Sequence, residues 1–364
     1  MQLQRLGFCR CGVSCVAGSS ASSFGALLLS FFAGSGIRMG NALGLDIGYS
    51  NVIGVFGSGD GQPESIIRPS QAAPLSVLPG DSGLRPGEVI VEVDGAPWVA
   101  FAAPGRVQDG RELHEDYTSS HAYEALFKGA LLHAAGDKDV IDCLVTGLPV
   151  SQARDKPYVE ALIKRMTGTH RITPKREVTV KRVEVVAQPI GTLTEIYCNS
   201  DASEVIEESV SIIIDPGFFS VDWVVFDHRE LVVNSSSSSL KAMSVVLEAC
   251  NEEIAKDHGG IPGVEKIEHA LQSGKSYILI YGRKVELAEY LERAAERVIP
   301  SVFTEIKQGL RFLKGRAIDC VILGGGGASL YEPFARKEFP DALVVKPVNS
   351  VKSNAEGFWH IARS

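Results

Sequence analysis

Two stretches far apart in the chain carry one pattern: an apolar run ending in Asp, a Gly two positions later, a hydroxyl residue shortly after, and a second apolar run. The first is Leu43-Gly-Leu-Asp46-Ile-Gly48-Tyr-Ser50-Asn51-Val-Ile-Gly-Val-Phe56, and the second is Val210-Ser-Ile-Ile-Ile-Asp215-Pro-Gly217-Phe-Phe-Ser220-Val-Asp-Trp-Val-Val-Phe226. Each reads as strand, tight turn, strand. An Asp at a strand end beside a glycine turn puts a carboxylate and several backbone N–H groups at one point, and such a loop can hold a phosphate. In the first copy Gly48 supplies turn amides while Ser50 and Asn51 add side-chain donors; Gly217 and Ser220 repeat the arrangement in the second. One such turn is an ordinary hairpin device. Two copies from separate parts of the chain are a reason to expect one shared ligand.

A third element supports that expectation. The strand expected over 317–323 runs into Gly324-Gly325-Gly326-Gly327, and a helix is expected from Ala328, so backbone can approach a ligand closely while a helix N-terminus points at it; Ser329 lies in its first turn. Four glycines carry an entropy cost that a plain connector does not need. The run is neither a dinucleotide fingerprint nor a P-loop, because the Gly-x-Gly-x-x-Gly turn after the first strand and the Lys-Ser/Thr ending are both missing. Two carboxylates beside a polyphosphate would repel it, so Asp46 and Asp215 imply a divalent ion, and hard oxygen ligands with retained water suit Mg.

A chain of 364 residues is too long for one core and comfortable for two lobes. With 45% hydrophobic and 22% charged residues it falls in the globular range. The net charge of −8, without a basic stripe, argues against direct nucleic-acid binding. The expected division is an extension over 1–38, a first lobe over 39–209 to which 346–364 returns, and a second lobe over 210–345. The extension holds a short apolar stretch, too short to span a bilayer, and reads as an upstream or disordered tail; a signal or peripheral anchor is the alternative. Hairpins are expected over 43–56 and 89–101, the latter turning at Asp94-Gly95, with loop between them over 62–87. Strands are expected over 139–148 and 181–187. Helices are expected over 123–135, 156–167 (closed by Gly168), 240–256, 263–272, 284–298 (resuming after Pro300), 328–337 and 354–362.

These motifs resemble those of the actin, Hsp70 and sugar-kinase superfamily: Asp46 to Asn51 the first phosphate loop, Asp215 to Ser220 the second, Ile322 to Ser329 the adenosine motif. Within it, residues 39–364 look like the plasmid-segregation branch, the ParM/StbA type, in which Leu144-Val-Thr-Gly-Leu-Pro-Val150 and Asn354-Ala-Glu-Gly-Phe-Trp359 recur. The resemblance implies an α/β, actin-like (ribonuclease H-like) two-lobed fold with a nucleotide cleft between the lobes. It also implies a cytoplasmic ATPase that binds ATP or ADP with Mg, hydrolyses slowly, assembles with itself into filaments and reaches plasmid DNA through an adaptor protein, with no membrane role. By similarity Asp46 and Asp215 hold the magnesium through water, Gly324 to Gly327 flank the adenosine, and Gln188, after the strand Val183-Glu-Val-Val-Ala187, orients the attacking water. Pro216 removes one N–H from the second loop, and Ser220 stands where the superfamily often has Thr.

Two other readings remain at this point: a phosphotransferase of the same fold, for which Glu184, Asp201 and Asp222 are the available carboxylate bases, and a non-hydrolysing, membrane-linked scaffold. Nothing after the closing helix could serve as a chaperone's peptide-binding domain. The eight histidines, His114 among them, show no metal spacing, and Cys9, Cys11 and Cys15 lack a fourth ligand. Cys143, Cys198, Cys250 and Cys320 read as reduced core residues, Ser235 to Ser239 as a solvent loop, and Trp223 and Trp359 as core.

Overall fold

The computed structural model describes residues 40–58, 61–78, 83–107, 116–200 and 202–364. The expectations for the 1–38 extension, Cys9, Cys11, Cys15, His114 and Asp201 lie outside the described residues.

The chain opens with β1 (Ala42–Ile47), β2 (Asn51–Gly57) and β3 (Glu64–Pro69), followed by the short β4 (Ala72–Pro74) and the hairpin β5 (Val89–Val93) and β6 (Ala96–Ala100). Positive φ at both Asp94 and Gly95 makes the hairpin turn of the kind that matches strand twist. Helix α1 (His121–Ala134) starts where the Ser120 hydroxyl accepts from the Tyr123 amide at 3.1 Å. Next come β7 (Val140–Ile141), β8 (Cys143–Leu148), α2 (Val150–Ala153), α3 (Lys156–Met166), β9 (Gly168–Thr173), β10 (Arg176–Val180), β11 (Val183–Ala187), α4 (Gln188–Asn199) and α5 (Ser203–Glu208). The later part supplies β12 (Val210–Pro216), β13 (Val221–Asp227), β14 (Glu230–Leu231), β15 (Ser237–Ser239), α6 (Met243–His258), α7 (Val264–Gln272), β16 (Tyr277–Ile280), β17 (Arg283–Glu286) and α8 (Ala288–Gly309). It closes with β18 (Cys320–Leu323), α9 (Ala328–Glu338), β19 (Leu343–Val345) and α10 (Ser353–Arg363).

Two mixed sheets carry the repeated hairpins. The first runs β11-β8-β1-β2-β3 and the second β14-β13-β12-β18-β19 with β15 on β13, so β1 and β12 each have an antiparallel partner on one side and a parallel one on the other. Every residue of β12 is buried, as expected of a strand covered on both faces. One core joins the first sheet, α1, α4 and α10 and reaches Ile213, Val224 and Phe226 on one face of the second sheet. The other lies under α6, α8 and α9. Trp223 and Trp359 are buried in them as expected, and each fully buried large side chain stabilises by roughly 1.5–3 kcal/mol.

Several elements depart from the sequence expectation. The supposed loop over 62–87 contains β3, an edge strand that buries only Ile66 and so shows no alternation to read. Gly168 does not close a helix; at φ 110° it opens β9, and β9 and β10 form a hairpin the sequence reading lacked. The strand over 139–148 is divided at Asp142 between two sheets. Lys284 belongs to the β16–β17 hairpin rather than to a helix, and α8 passes through Pro300 unbroken. Pro300 and Glu296 both face solvent, so water can satisfy the carbonyl that Pro300 leaves unpaired. Cys143, Cys250 and Cys320 are buried free thiols, whereas Cys198 is exposed.

Candidate functional site

Asp46 and Asp215 are each the penultimate residue of their strand, β1 and β12, and the register across β1–β2 and β12–β13 turns both chains back just beyond them. The Gly48 amide donates to the Asn51 carbonyl at 3.0 Å and the Gly217 amide to the Ser220 carbonyl at 2.9 Å, the same closure in both turns. These two amides are spent on the turns, contrary to their expected use on a phosphate. The turns face each other across a cavity of about 560 Å³ lined by both sheets' loops, with Asp46, Gly48, Ser50, Asn51 and Gln188 on one side and Asp215, Gly217, Ser220 and Gly325 to Gly327 on the other.

Gly324 and Ser329 do not line that cavity. Gly324 packs on Thr192, whose Oγ1 would lie 2.1 Å from an added Cβ, and Ser329 is exposed with its hydroxyl 3.3 Å from Lys346 Nζ. Gly325 is required twice, by φ of 67° and by Asp215 Oδ1 at 2.1 Å from where a Cβ would be. Only Gly326 of the four faces open space.

Asn354, at the start of α10, holds the acids together. Its Nδ2 donates to Asp215 Oδ2 at 2.6 Å, while its Oδ1 accepts from the Thr192 hydroxyl at 2.8 Å. Gln188, the first residue of α4, donates from Nε2 to Asp46 Oδ1 at 3.2 Å. Burial pushes Asp46 up to about 6 despite hydrogen bonds from Gln188 and Asn354. Burial pushes Asp215 up to about 8, with the Asp46 charge adding to the effect. Both partners are neutral amides, so the pair has no protein cation to offset it, and a divalent ion fits the donor set. Among the described residues no cluster of three or more His, Cys, Asp or Glu could hold a metal, so such an ion would take most of its oxygens from water and ligand.

Ser50 is engaged across the cleft: its hydroxyl donates to Glu268 Oε1 at 2.5 Å and accepts from Gln272 Nε2 at 2.7 Å, both on α7. Ser220 commits its hydroxyl to Asp222 at 2.5 Å rather than presenting it to a phosphate. Asp222, buried and thereby pushed up in pKa, also accepts from the Ser238 hydroxyl at 2.5 Å and the Val150 amide at 2.6 Å. The serine run is therefore no solvent loop. Ser235, Ser236 and Ser239 are buried, β15 pairs with β13, and Arg154 reaches the carbonyls of Val233 and Ser236 at 2.6 and 2.8 Å. As for the bases an acceptor substrate would need, Asp222 is fully bonded and Glu184 pairs with Arg182 at 2.6 Å outside the cavity.

A family model of the actin-like proteins' N-terminal domain matches residues 44–191, and a model of the archaeal MreB-like actin homologues' C-terminal domain matches residues 213–336. The chain belongs to the actin-like proteins. Solved actin-like structures align over nearly their whole length. An archaeal actin homologue superposes with a TM-score of 0.69 at 22% identity, covering 88% of this chain and 98% of that one. The same kind of homologue in complex with ADP gives 0.67 at 21% over the same shares. The subunit of a 15-stranded ParM filament from Clostridium botulinum gives 0.70 at 16%, over 89% and 99%. No curated protein matches the chain in sequence. Among the described residues of this actin-like protein, no helix is long and apolar enough to cross a membrane.

Sequence reasoning missed Asn354, Glu268, Gln272 and the aromatic tips Tyr49 and Phe219. Asn354 reads as one polar residue opening an amphipathic helix, and its partners lie far off in sequence; only the fold brings them together.

Proposed function

We propose that this actin-like protein binds ATP with Mg in the cleft, hydrolyses it slowly and assembles into dynamic filaments that segregate DNA through an adaptor protein. The observation that carries the reading is the convergence of Asp46 and Asp215 on one cavity closed by the glycine loop, with neutral amides as their side-chain partners. The ADP complex of an archaeal homologue supports the choice of nucleotide, and the ParM filament supports self-assembly. Asp46 and Asp215 would hold Mg through water, and the ion would neutralise charge on the phosphates. The Gln188 amide can accept from and donate to a water in line with the terminal phosphorus. That water adds to phosphorus and the bond to the bridging oxygen breaks. The oxygen keeps the electron pair and leaves as ADP; one proton stays on hydrogen phosphate and the other passes to solvent.

The direct test is negative-stain microscopy with light scattering, with and without ATP and Mg. Filaments and a rise in scattering that need both are expected; ATP turnover with constant scattering would eliminate assembly. The Gln188→Ala variant should keep its ADP affinity and cleave ATP on the order of 100-fold more slowly, the cost of losing water alignment, so that its filaments persist longer. Unchanged phosphate release would remove Gln188 from the reaction.

A further inference from the structure

Beside the nucleotide cleft lies a second cavity of about 520 Å³, bounded by β4, β6 and the start of α1. Tyr49 and Tyr117 line both spaces, and Tyr49 stacks on Phe219 across the cleft with ring centroids 4.4 Å apart, so the two cavities share an aromatic wall. Elsewhere Pro74, Val77 and Trp98 make the lining apolar, and Val77 is 66% exposed, which leaves the cavity open to solvent there. Size and lining are those of a small-molecule site, an apolar concavity with a few fixed polar groups.

Several of those polar groups already have partners. The Ser70 hydroxyl donates to the Gly48 carbonyl at 2.5 Å and lies 3.1 Å from the Tyr117 hydroxyl, and the Ser119 hydroxyl donates to the Asp116 carbonyl at 2.7 Å. The Ser120 hydroxyl accepts from the Tyr123 amide at 3.1 Å, and His121 pairs with Asp94 at 2.8 Å. Gln71 differs: it is 9% exposed, and its Oε1 is buried without a hydrogen-bond partner. Backbone bonds fix its place, since the Ser70 amide before it donates to the Ser50 carbonyl at 3.1 Å and its own carbonyl accepts from the Ala102 amide at 2.8 Å. A buried acceptor left unpaired costs about 1–3 kcal/mol, and a bound donor removes that cost. No Lys, Arg, Asp or Glu is among the described residues that line the cavity, so a charged ligand would lose hydration there without gaining a counter-ion.

We infer that this second cavity is a binding site for a small neutral ligand with a planar apolar body and one N–H or O–H donor. The body lies among Trp98, Tyr49 and Tyr117, and Gln71 Oε1 accepts from the donor. None of these contacts uses the two acids or the glycine loop, so the site stands whether or not the neighbouring cleft takes a nucleotide.

Indole serves as the probe and benzofuran, the same shape without the N–H, as its control, each titrated into the full chain and followed by saturation-transfer NMR. Indole should bind about 2- to 10-fold more tightly than benzofuran, the factor corresponding to one net hydrogen bond. Gln71→Met, which keeps an unbranched side chain and removes the acceptor, should erase that preference while still binding benzofuran. The chain has three tryptophans, and with these isotope-labelled the indole N–H signal of Trp98, assigned from Trp98→Phe, should shift during the titration. The signals of Trp223 and Trp359, both buried in the cores, should stay in place. Equal affinity of the unmodified chain for the two probes, or a preference that survives Gln71→Met, overturns the inference. A Trp98 signal that does not move at saturation overturns it too, and needs no Gln71 variant to fold. Binding of neither probe would leave the cavity to water alone and reject the site.

Discussion

Asp215→Asn is expected to weaken ADP–Mg uptake by on the order of 100-fold, the upper range for removing a ligand that acts on an ion through a second shell, while raising the melting temperature of the ion-free protein at alkaline pH. Both effects follow from one carboxylate. Burial lifts Asp215 from 3.8 to about 8 and Asp46 from 3.8 to about 6. An acid raised by folding favours the fold wherever it is protonated, so its contribution is complete below pH 4 and disappears as the pH passes the folded value. The ion-free protein should therefore lose stability through both acids as the pH rises from about 4 to 6, and through Asp215 alone from about 6 to 8. Asn at 215 stays neutral throughout and its carbonyl can still accept from Asn354. Thermal melts in a chelator from pH 5 to 8.5 should show the variant gaining on the unmodified chain as pH rises. Parallel curves would contradict the titration, and ADP–Mg calorimetry indistinguishable from the unmodified chain would take Asp215 out of the site.

Gly357→Ala should be the most damaging single-methyl change. Helices α4 and α10 cross where Gly191 meets Gly357, and a Cβ on Gly357 would lie 1.8 Å from the Gly191 carbonyl oxygen and 2.5 Å from its carbon. The obstacle is backbone, so no rotamer change relieves it. Overpacking costs roughly 1–3 kcal/mol, more where a helix must shift, and this outweighs the ~1 kcal/mol that Ala gains over Gly in a helix. The displacement would also move Asn354, on the same helix, away from Asp215. A lower urea midpoint together with weakened ADP binding is the expected result. Gly326→Ala is the stability control, because its Cβ meets nothing within 4 Å; a Gly357→Ala midpoint equal to that of Gly326→Ala would refute the packing argument.

The two cases mark what sequence reading could reach. Asp46 and Asp215 stand out because each lies one residue before the end of a buried strand with a glycine two positions on, a pattern that local physics writes within a few residues. The hairpin of β5 and β6 was legible for the same reason, through Asp94-Gly95. β3 was not, since an edge strand burying Ile66 alone carries no period, and β9 and β10 were hidden behind a glycine that resembled a helix stop. The serine run misled because polarity usually means solvent; here Asp222 accepts from the Ser238 hydroxyl, the Ser236 hydroxyl donates to the Val232 carbonyl and accepts from the Val225 amide, and Arg154 donates to the Ser236 carbonyl.

By itself the sequence determined the repeated acid-glycine turns and the glycine loop, which depend on residues adjacent in the chain, and through its length the division into two lobes. Tertiary structure alone decided that Gly48 and Gly217 spend their amides within their own turns, that Asn354 bridges to Asp215, that Ser329 lies outside the cleft, and that Tyr49 meets Phe219. Those contacts join residues from distant parts of the chain, and their geometry is set by how closely α4, α10 and the two sheets pack, which no local pattern encodes.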